Sequence, residues 1–298
     1  MIGFLSSRLP AESVHLVTAF RQGLAEAGYV EGKNVVIEYR WAEGKYERLP
    51  MLAADLVGRR VAVISTAGGS VSALAAKAAT ATIPVVFLSG GDLVKLGLVS
   101  NLRRPGGNVT GVSQFAALLA PKRLELLREV IPKVAIIAML VNPNNPNIEF
   151  ELTHVREAAR TLEVKLNVIS ASSVSEIDAA FATLVRQNIG ALSVTADPFL
   201  DGRRTQIAAL ALRHAIPAIY GVRDSAVAGG LMSYGPDFAD TYRQAGIYTG
   251  QILKGANPGD LPVMQPSKFQ FVVNLITAKA LGITFPQSVL VRANEVIR

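Results

Sequence analysis

Short apolar segments rich in valine and isoleucine alternate along the chain with longer stretches whose apolar residues recur at helical spacing. Leu49, Leu52, Ala53 and Leu56, for example, fall on one face of a helix. The short segments predict eight β-strands, at residues 2–6, 35–39, 61–65, 83–88, 136–141, 165–169, 191–195 and 216–220. Because such alternation is typical of parallel sheets covered by helices on both faces, we expect an α/β fold.

The order of these elements repeats. The strands align pairwise at a nearly constant offset, Ile2 with Ile137, Asn34 with Lys165, Val61 with Gly190 and Ile83 with Ile216. In both copies a helical pattern runs into an Ile-Pro pair, and proline suits the first residue of a strand because it has no N–H to donate. We therefore predict two Rossmann-like lobes, each with its own parallel sheet. One doubly wound sheet of eight strands is the alternative.

The chain continues beyond the second copy. A helix is predicted from Phe238 to Leu253, a segment rich in proline and glycine follows at 255–266, and residues 269–273 predict one more strand. These elements suit a chain that returns across a hinge to complete the first lobe. The predicted N-terminal lobe comprises residues 1–115 and 236–265, the C-terminal lobe comprises 116–235 and 266–298, and the crossing segments lie near 111–116, 233–236 and 265–270.

The amino-acid composition excludes several classes of protein. With 50% hydrophobic and 18% charged residues, the 298-residue chain can bury large cores and is not intrinsically disordered. It has no cysteine, which excludes disulfides, thiol catalysis and thiolate zinc sites. The net charge of +7 is scattered rather than concentrated with aromatic residues, so we expect no nucleic-acid partner. A basic surface also attracts anionic ligands at long range.

No apolar run is long enough to span a membrane. The chain opens directly on the first predicted strand, with no basic region and no small-residue cleavage site before it. The sequence therefore fits either a cytoplasmic protein or an exported one whose leader is not part of this sequence.

Residues that follow the strands are the candidates for a ligand site, because ligands of open α/β sheets bind at the carboxyl ends of the strands. In two facing lobes those ends line a cleft. The candidates in the first lobe are Ser6, Ser7, Gly68, Gly69, Ser70, Ser89 and Gly90. Residues 68–70 open a helix, and N–H groups unobstructed by side chains at a helix start form an anion site. A tight turn with a helix N-cap is the alternative.

The candidates in the second lobe are Asn144, Asp197, Phe199 and Tyr220. Asp197 follows a strand, and it either caps the next helix or pairs its carboxylate with a ligand ammonium. Phe199 or Tyr220 would supply an apolar wall, and Asn144 would supply a neutral polar contact. Because an anion site in one lobe and a cation site in the other fit an amino acid, we expect reversible capture of a small carboxylate-bearing solute. Aromatic amino acids or aromatic acids are favoured, ahead of branched aliphatic amino acids.

Signatures of catalysis do not occur in the sequence. His15, His154 and His214 lie in helical patterns, and there is no zinc-protease motif and no nucleophile-elbow motif. We therefore expect no enzymatic activity, no metal site and no cofactor. Two rival functions stay open, an enzyme on a two-lobed α/β scaffold and the ligand-sensing domain of a regulator. The sensor would need a DNA-binding or membrane segment that this chain lacks.

Several motifs spread over the whole chain resemble those of a known family. They are FRQGL at 20–24, GYVEGKN at 28–34, IEYRWAEG at 37–44, RPGGNVTG at 104–111, GGLMSYGP at 229–236 and NLITAKALG at 274–282. Together they resemble the ABC-transporter substrate-binding family that includes tryptophan-binding TrpX-like proteins.

The resemblance implies a type I periplasmic-binding-protein fold, in which a hinge joins two Rossmann-like lobes. It also implies a protein that is periplasmic or tethered outside the inner membrane and that delivers its ligand to an ABC permease. We expect a monomer. Carried over by position, the ligand contacts fall on Ser6, Ser7, Gly68, Gly69, Ser70, Ser89, Gly90, Asn144 and Asp197.

Overall fold

A computed structural model describes residues 1–298 and divides the chain into two compact units. Unit 1 comprises Met1–Phe115 and Asp237–Lys268, and unit 2 comprises Ala116–Pro236 and Phe269–Arg298. The chain thus passes from one unit to the other three times. No helix is long and apolar enough to cross a lipid bilayer.

The strands in chain order are β1 (Ile2–Ser6), β2 (Ile37–Trp41), β3 (Val63–Ala67), β4 (Val85–Ser89), β5 (Val109–Ser113), β6 (Ile136–Val141), β7 (Lys165–Ser170), β8 (Ala191–Val194), β9 (Ala218–Tyr220), β10 (Met232–Pro236), β11 (Phe269–Asn274) and β12 (Glu295–Ile297). The helices are α1 (Val14–Glu26), α2 (Leu49–Gly58), α3 (Ser70–Ala79), α4 (Ala120–Val130), α5 (Ile148–Thr161), α6 (Val174–Arg186), α7 (Pro198–Asp201), α8 (Arg204–Arg213), α9 (Arg223–Val227), α10 (Phe238–Leu253), α11 (Leu275–Ala280) and α12 (Gln287–Arg292).

Unit 1 is built on a sheet of five parallel strands in the order β2-β1-β3-β4-β5. Strands β1, β3, β4 and β5 are buried because helices cover the sheet, as in other parallel sheets, whereas the edge strand β2 is half-buried. The returning helix α10 packs against α1 at very short range. A side chain at Gly23 would clash with the Arg243 carbonyl, and one at Gly246 would clash with the Phe20 carbonyl. These two glycines allow the two backbones to touch.

Unit 2 is built on seven strands in the order β12-β11-β10-β9-β8-β6-β7. The β10–β11 pair is antiparallel, and the other neighbours are parallel. Leu124 and Leu127 on α4 pack with Ile137, Met139 and Val273 of the sheet in its main apolar core. The last two strands come from the second passage of the chain into this unit, so unit 2 is also built from two separate segments.

The predicted fold class is confirmed, since the structure has two α/β lobes whose sheets are mainly parallel, with five and seven strands. The alternative of one eight-stranded sheet is wrong. β6 and α10 have the bounds that the sequence predicted. β2 lies two residues later than predicted, because β1 pairs residue for residue with it up to Ser6 and Trp41. Strands β5 and β10 were not predicted, since Gly111 in one and Gly235-Pro236 in the other interrupt the apolar pattern.

Candidate functional site

The candidate residues of unit 1 meet at the carboxyl edge of its sheet. Ser6 ends β1 and Ser7 follows it. Gly68 follows β3 and Ser89 ends β4, and these three strands are neighbours in the sheet. The Ser7 hydroxyl donates to the Gly68 carbonyl at 2.6 Å. The hydroxyls of Ser70 and Ser89 lie 2.6 Å apart. The structure therefore joins three strands of unit 1 through these side chains.

The turn between β3 and α3 needs glycine at two successive positions. Gly68 and Gly69 have φ angles of 76° and 82°, in the region that only glycine adopts freely. A side chain at Gly68 would also clash with the Ser7 hydroxyl. Gly69 is the N-cap of α3 and has no side chain to satisfy the first N–H groups of that helix. The positive end of the α3 dipole is thus suited to an anion.

The remaining candidates of unit 1 border this turn. The Ser6 hydroxyl accepts a hydrogen bond from the Arg8 N–H at 3.1 Å, and Gly90 is buried just after β4. Thr66 and Ser72 are the two ends of the sequence segment that contains the two glycines. Their hydroxyls are buried and have no hydrogen-bond partner. Both hydroxyls are therefore donors that have no acceptor inside the protein.

In unit 2, Asp197 caps the short helix α7. Its Oδ1 accepts hydrogen bonds from the N–H groups of Phe199 and Leu200, at 3.0 and 3.2 Å. The Asn142 amide donates to Oδ1 at 3.1 Å, and the Asn145 amide donates to Oδ2 at 3.0 Å. The carboxylate is fully buried. The capping alternative of the sequence is therefore what the structure describes, and contact with a ligand ammonium stays a prediction.

Asn144 is not among the residues that the structure gathers around Asp197. It is exposed, and its N–H donates to the side chain of Asn142 at 3.0 Å. Its neighbours Asn142 and Asn145 contact Asp197 instead. The Asn-Pro-Asn-Asn-Pro segment after β6 identified this loop as part of the candidate site. Which of its three asparagines contacts Asp197 depends on the direction of each side chain, and the sequence does not show that direction.

Phe199 and Tyr220 lie in different surroundings. Phe199 is buried on α7, and the guanidinium of Arg203 lies 6.0 Å from the centre of its ring. Tyr220 is in the interior of unit 2, where its ring occupies the space that a side chain at Gly230 would need. Its hydroxyl has no partner, and burial raises the pKa of the phenol. The structure brings Phe199, but not Tyr220, next to Asp197, because Tyr220 packs into the core rather than along the sheet edge.

Comparisons with known proteins show the family of this chain. A family model for ABC transporter substrate binding proteins matches residues 12–297. The chain belongs to this family. The tyrosine-binding protein of Clostridioides difficile (strain R20291) is 29% identical to this substrate-binding protein over 262 residues, which are 88% of this chain and 75% of that protein.

Solved structures show the same fold. An ABC domain from Streptococcus pneumonia in complex with L-Trp is 27% identical, with a TM-score of 0.90 and 100% of both chains covered. A conserved domain protein from Vibrio cholerae O1 biovar eltor str. N16961 is 26% identical, with a TM-score of 0.92, over 99% of this chain and 98% of that one. The fold of this substrate-binding protein is thus that of periplasmic binding proteins.

Unit 2 of the substrate-binding protein also contains a buried ion pair that the sequence did not reveal. Arg123 on α4 donates to Glu151 on α5 at 3.0 Å, and their side chains are 0% and 3% exposed. Burial raises the pKa of the Glu151 carboxyl to about 7, although the positive charge of Arg123 opposes this change. Burial also lowers the pKa of Arg123. The carboxyl of Glu151 therefore changes its charge near neutral pH.

Proposed function

We propose that this substrate-binding protein captures a small carboxylate-bearing solute and delivers it to the permease of an ABC importer in the inner membrane. An aromatic amino acid or an aromatic acid is the favoured ligand, with branched aliphatic amino acids next. Support comes from the names of two relatives, one a tyrosine-binding protein and one a complex with L-Trp. The protein would act as a monomer, in the periplasm or tethered outside the inner membrane.

The single observation that supports a carboxylate on the ligand is the geometry at the start of α3. Its N-cap is a glycine with a φ angle of 82°, and the preceding Gly68 has a φ angle of 76°. No side chain of these two residues covers the N–H groups of the first turn. A carboxylate placed there would accept hydrogen bonds from the backbone and interact favourably with the helix dipole.

The rival functions have less support. The relatives in this family bind solutes, which argues against an enzyme on the same scaffold. His154 and His214 have structural contacts. His154 Nδ1 lies 2.8 Å from the Phe150 carbonyl, and the ring of His214 stacks on Phe181. The ligand-sensing domain of a regulator would bind the same solutes but, unlike an importer component, would not deliver them to a permease.

A thermal-shift screen over the amino acids and aromatic acids tests the proposal. A ligand at about 100 times its dissociation constant stabilises the folded protein by about 2.7 kcal/mol, which raises the unfolding midpoint measurably. We expect the largest shifts with tyrosine, tryptophan or related aromatic acids. If only sugars or nucleosides raise the midpoint, the proposal is wrong. Product formation from the bound solute would favour the enzyme, and uptake assays with the permease separate the importer from a sensor.

A further inference from the structure

Arg203 lies just before α8 and near the carboxyl edge of the unit 2 sheet. It is four residues beyond Phe199 and follows the short helix α7. The guanidinium rests near the Phe199 ring, with 6.0 Å between the Cζ atom and the ring centre. Arginine often stacks on aromatic rings in this way, which leaves its N–H edge available for hydrogen bonds.

The Nε of Arg203 is buried and has no hydrogen-bond partner within the protein. The neighbouring Arg204 differs, since its Nη1 donates to the Asp201 carbonyl at 2.9 Å. A buried donor that lacks an acceptor is unfavourable, and buried polar groups in native proteins are nearly always paired. The unpaired Nε of Arg203 therefore points to an acceptor that the chain does not supply.

The backbone around Arg203 is held in place. Asp197 fixes the start of α7 through the N–H groups of Phe199 and Leu200. The N–H of Arg203 itself donates to the Leu200 carbonyl at 2.9 Å. Asn142 and Asn145 in turn hold Asp197 from the loop after β6. The backbone that carries Arg203 is thus fixed before a ligand binds, which reduces the entropy lost on binding.

We propose that Arg203 donates hydrogen bonds to an anionic oxygen of the captured solute and selects for solutes that carry a carboxylate. This inference rests on the proposed function, because it assigns a residue of unit 2 to the recognition of that solute. Guanidinium and carboxylate groups match in geometry and charge, and the buried Nε of Arg203 has no other acceptor in the protein. Phe199 would support the guanidinium from its other side.

The test is calorimetric titration with three probes, L-tyrosine, 4-hydroxyphenylacetate and tyramine. The first two carry a carboxylate and tyramine does not. We expect Arg203→Met to weaken the binding of L-tyrosine and 4-hydroxyphenylacetate by roughly 10- to 150-fold, the range of hydrogen bonds to charged groups. Tyramine should bind the wild type and Arg203→Met alike. Arg213→Met, at the exposed end of α8, is the matched control and should bind all three probes as the wild type does.

Two further measurements keep the outcome unambiguous. Unfolding midpoints without ligand show whether Arg203→Met is folded, and Arg203→Lys retains the charge but lacks an Nε donor, so it should also bind L-tyrosine more weakly. If the wild type binds L-tyrosine and both variants bind it equally well, the role of Arg203 is overturned while the proposed function stands. If the wild type binds no carboxylate-bearing solute, the proposed function fails, and the inference fails with it.

Discussion

Arg123 and Glu151 form an ion pair that is almost completely shielded from water, with 3.0 Å between Nη2 and Oε1. The same Nη2 donates to the Ala116 carbonyl at 3.1 Å, and Nη1 lies 3.5 Å from the Tyr234 carbonyl. Ala116 is the first residue of unit 2, and Tyr234 lies two residues before the chain leaves it. The pair thus connects α4 and α5 to the two backbone segments by which the chain enters and leaves the unit.

The raised pKa of Glu151 predicts that stability falls as the pH rises toward neutrality. Burial moves the pKa from 4.5 to about 7, so between these values the folded protein holds a proton that the unfolded chain has released. Stability from this group is fully present below the unfolded pKa and is lost as the pH rises through the folded one. The loss amounts to about 3 kcal/mol at most. Urea midpoints measured from about pH 4.5 to pH 8 should show it.

Two variants separate this effect from other titrations. Glu151→Gln should remove most of the decline, because an amide does not titrate. Arg123→Leu leaves Glu151 without its partner and should cost about 3–5 kcal/mol at pH 8, but less in acid, where the carboxyl is neutral. Equal pH slopes for the wild type and Glu151→Gln would contradict the assigned pKa.

Gly68→Ala should reduce both stability and affinity. The new side chain would clash with the Ser7 hydroxyl, and a φ angle of 76° is unfavourable for alanine. We expect a loss of roughly 1–3 kcal/mol in unfolding free energy and weaker binding of every carboxylate-bearing solute. Gly97→Ala is the control. Its φ angle is 67°, but no atom lies within 4 Å of the added carbon, so it should lose stability and keep affinity. Unaltered affinity in Gly68→Ala would argue that the turn is only structural.

Asp197→Asn tests whether the cap also contacts a ligand ammonium. Asparagine still caps a helix through its side-chain oxygen, so α7 should persist. The negative charge is gone, and the new amide group can no longer accept from Asn145. If the carboxylate pairs with an ammonium away from water, titration should show amino acids binding more weakly by roughly 2–5 kcal/mol. The corresponding acids without an amino group should bind as before. An equal loss for both kinds of solute would show that the variant disturbs α7 rather than a charge pair.

Gly246→Ala should strongly destabilise unit 1. The added carbon would clash with the Phe20 carbonyl, so α1 and α10 would have to separate. The expected loss is about 1–3 kcal/mol, as for other overpacked cores. Gly58→Ala at the end of α2 meets no atom within 4 Å and should instead stabilise by about 0.5–1 kcal/mol. Urea unfolding compares the two variants, and a neutral Gly246→Ala would show that the helices can shift apart without cost.

Local patterns were enough to predict the bounds of elements whose apolar spacing is not interrupted. The residues of β6 form one apolar run, and α10 keeps a helical spacing of apolar residues to its end, so the bounds of both could be predicted. Strands β5 and β10 contain glycine or proline at their centres or ends, and only their neighbours in the sheet show that they are strands.

The candidate site was less accessible to sequence reasoning. The two glycines at 68 and 69 are a local signal for a turn with positive φ angles, and they were found. Asp197 is held by Asn142 and Asn145, which are more than fifty residues away in sequence, so its cap and its hydrogen bonds depend on the fold. In the sequence, Arg203 stands out only as one of two adjacent arginines, the other being Arg204. Whether its guanidinium has an acceptor is decided by every side chain around it.

The contact between α1 and α10 also sets the order in which the molecule can be completed during synthesis. The apolar side chains of Phe20 and Leu24 on α1 are buried in the finished protein, and Gly23 lies against α10. α10 leaves the ribosome only after the chain has passed through most of unit 2, whose own sheet still lacks β11 and β12 at that moment. Domains commonly fold one after another from the N-terminus as they are made. Here unit 1 is complete only once Lys268 has been made, and unit 2 only after β12, so neither unit can finish folding until most of the chain has been translated.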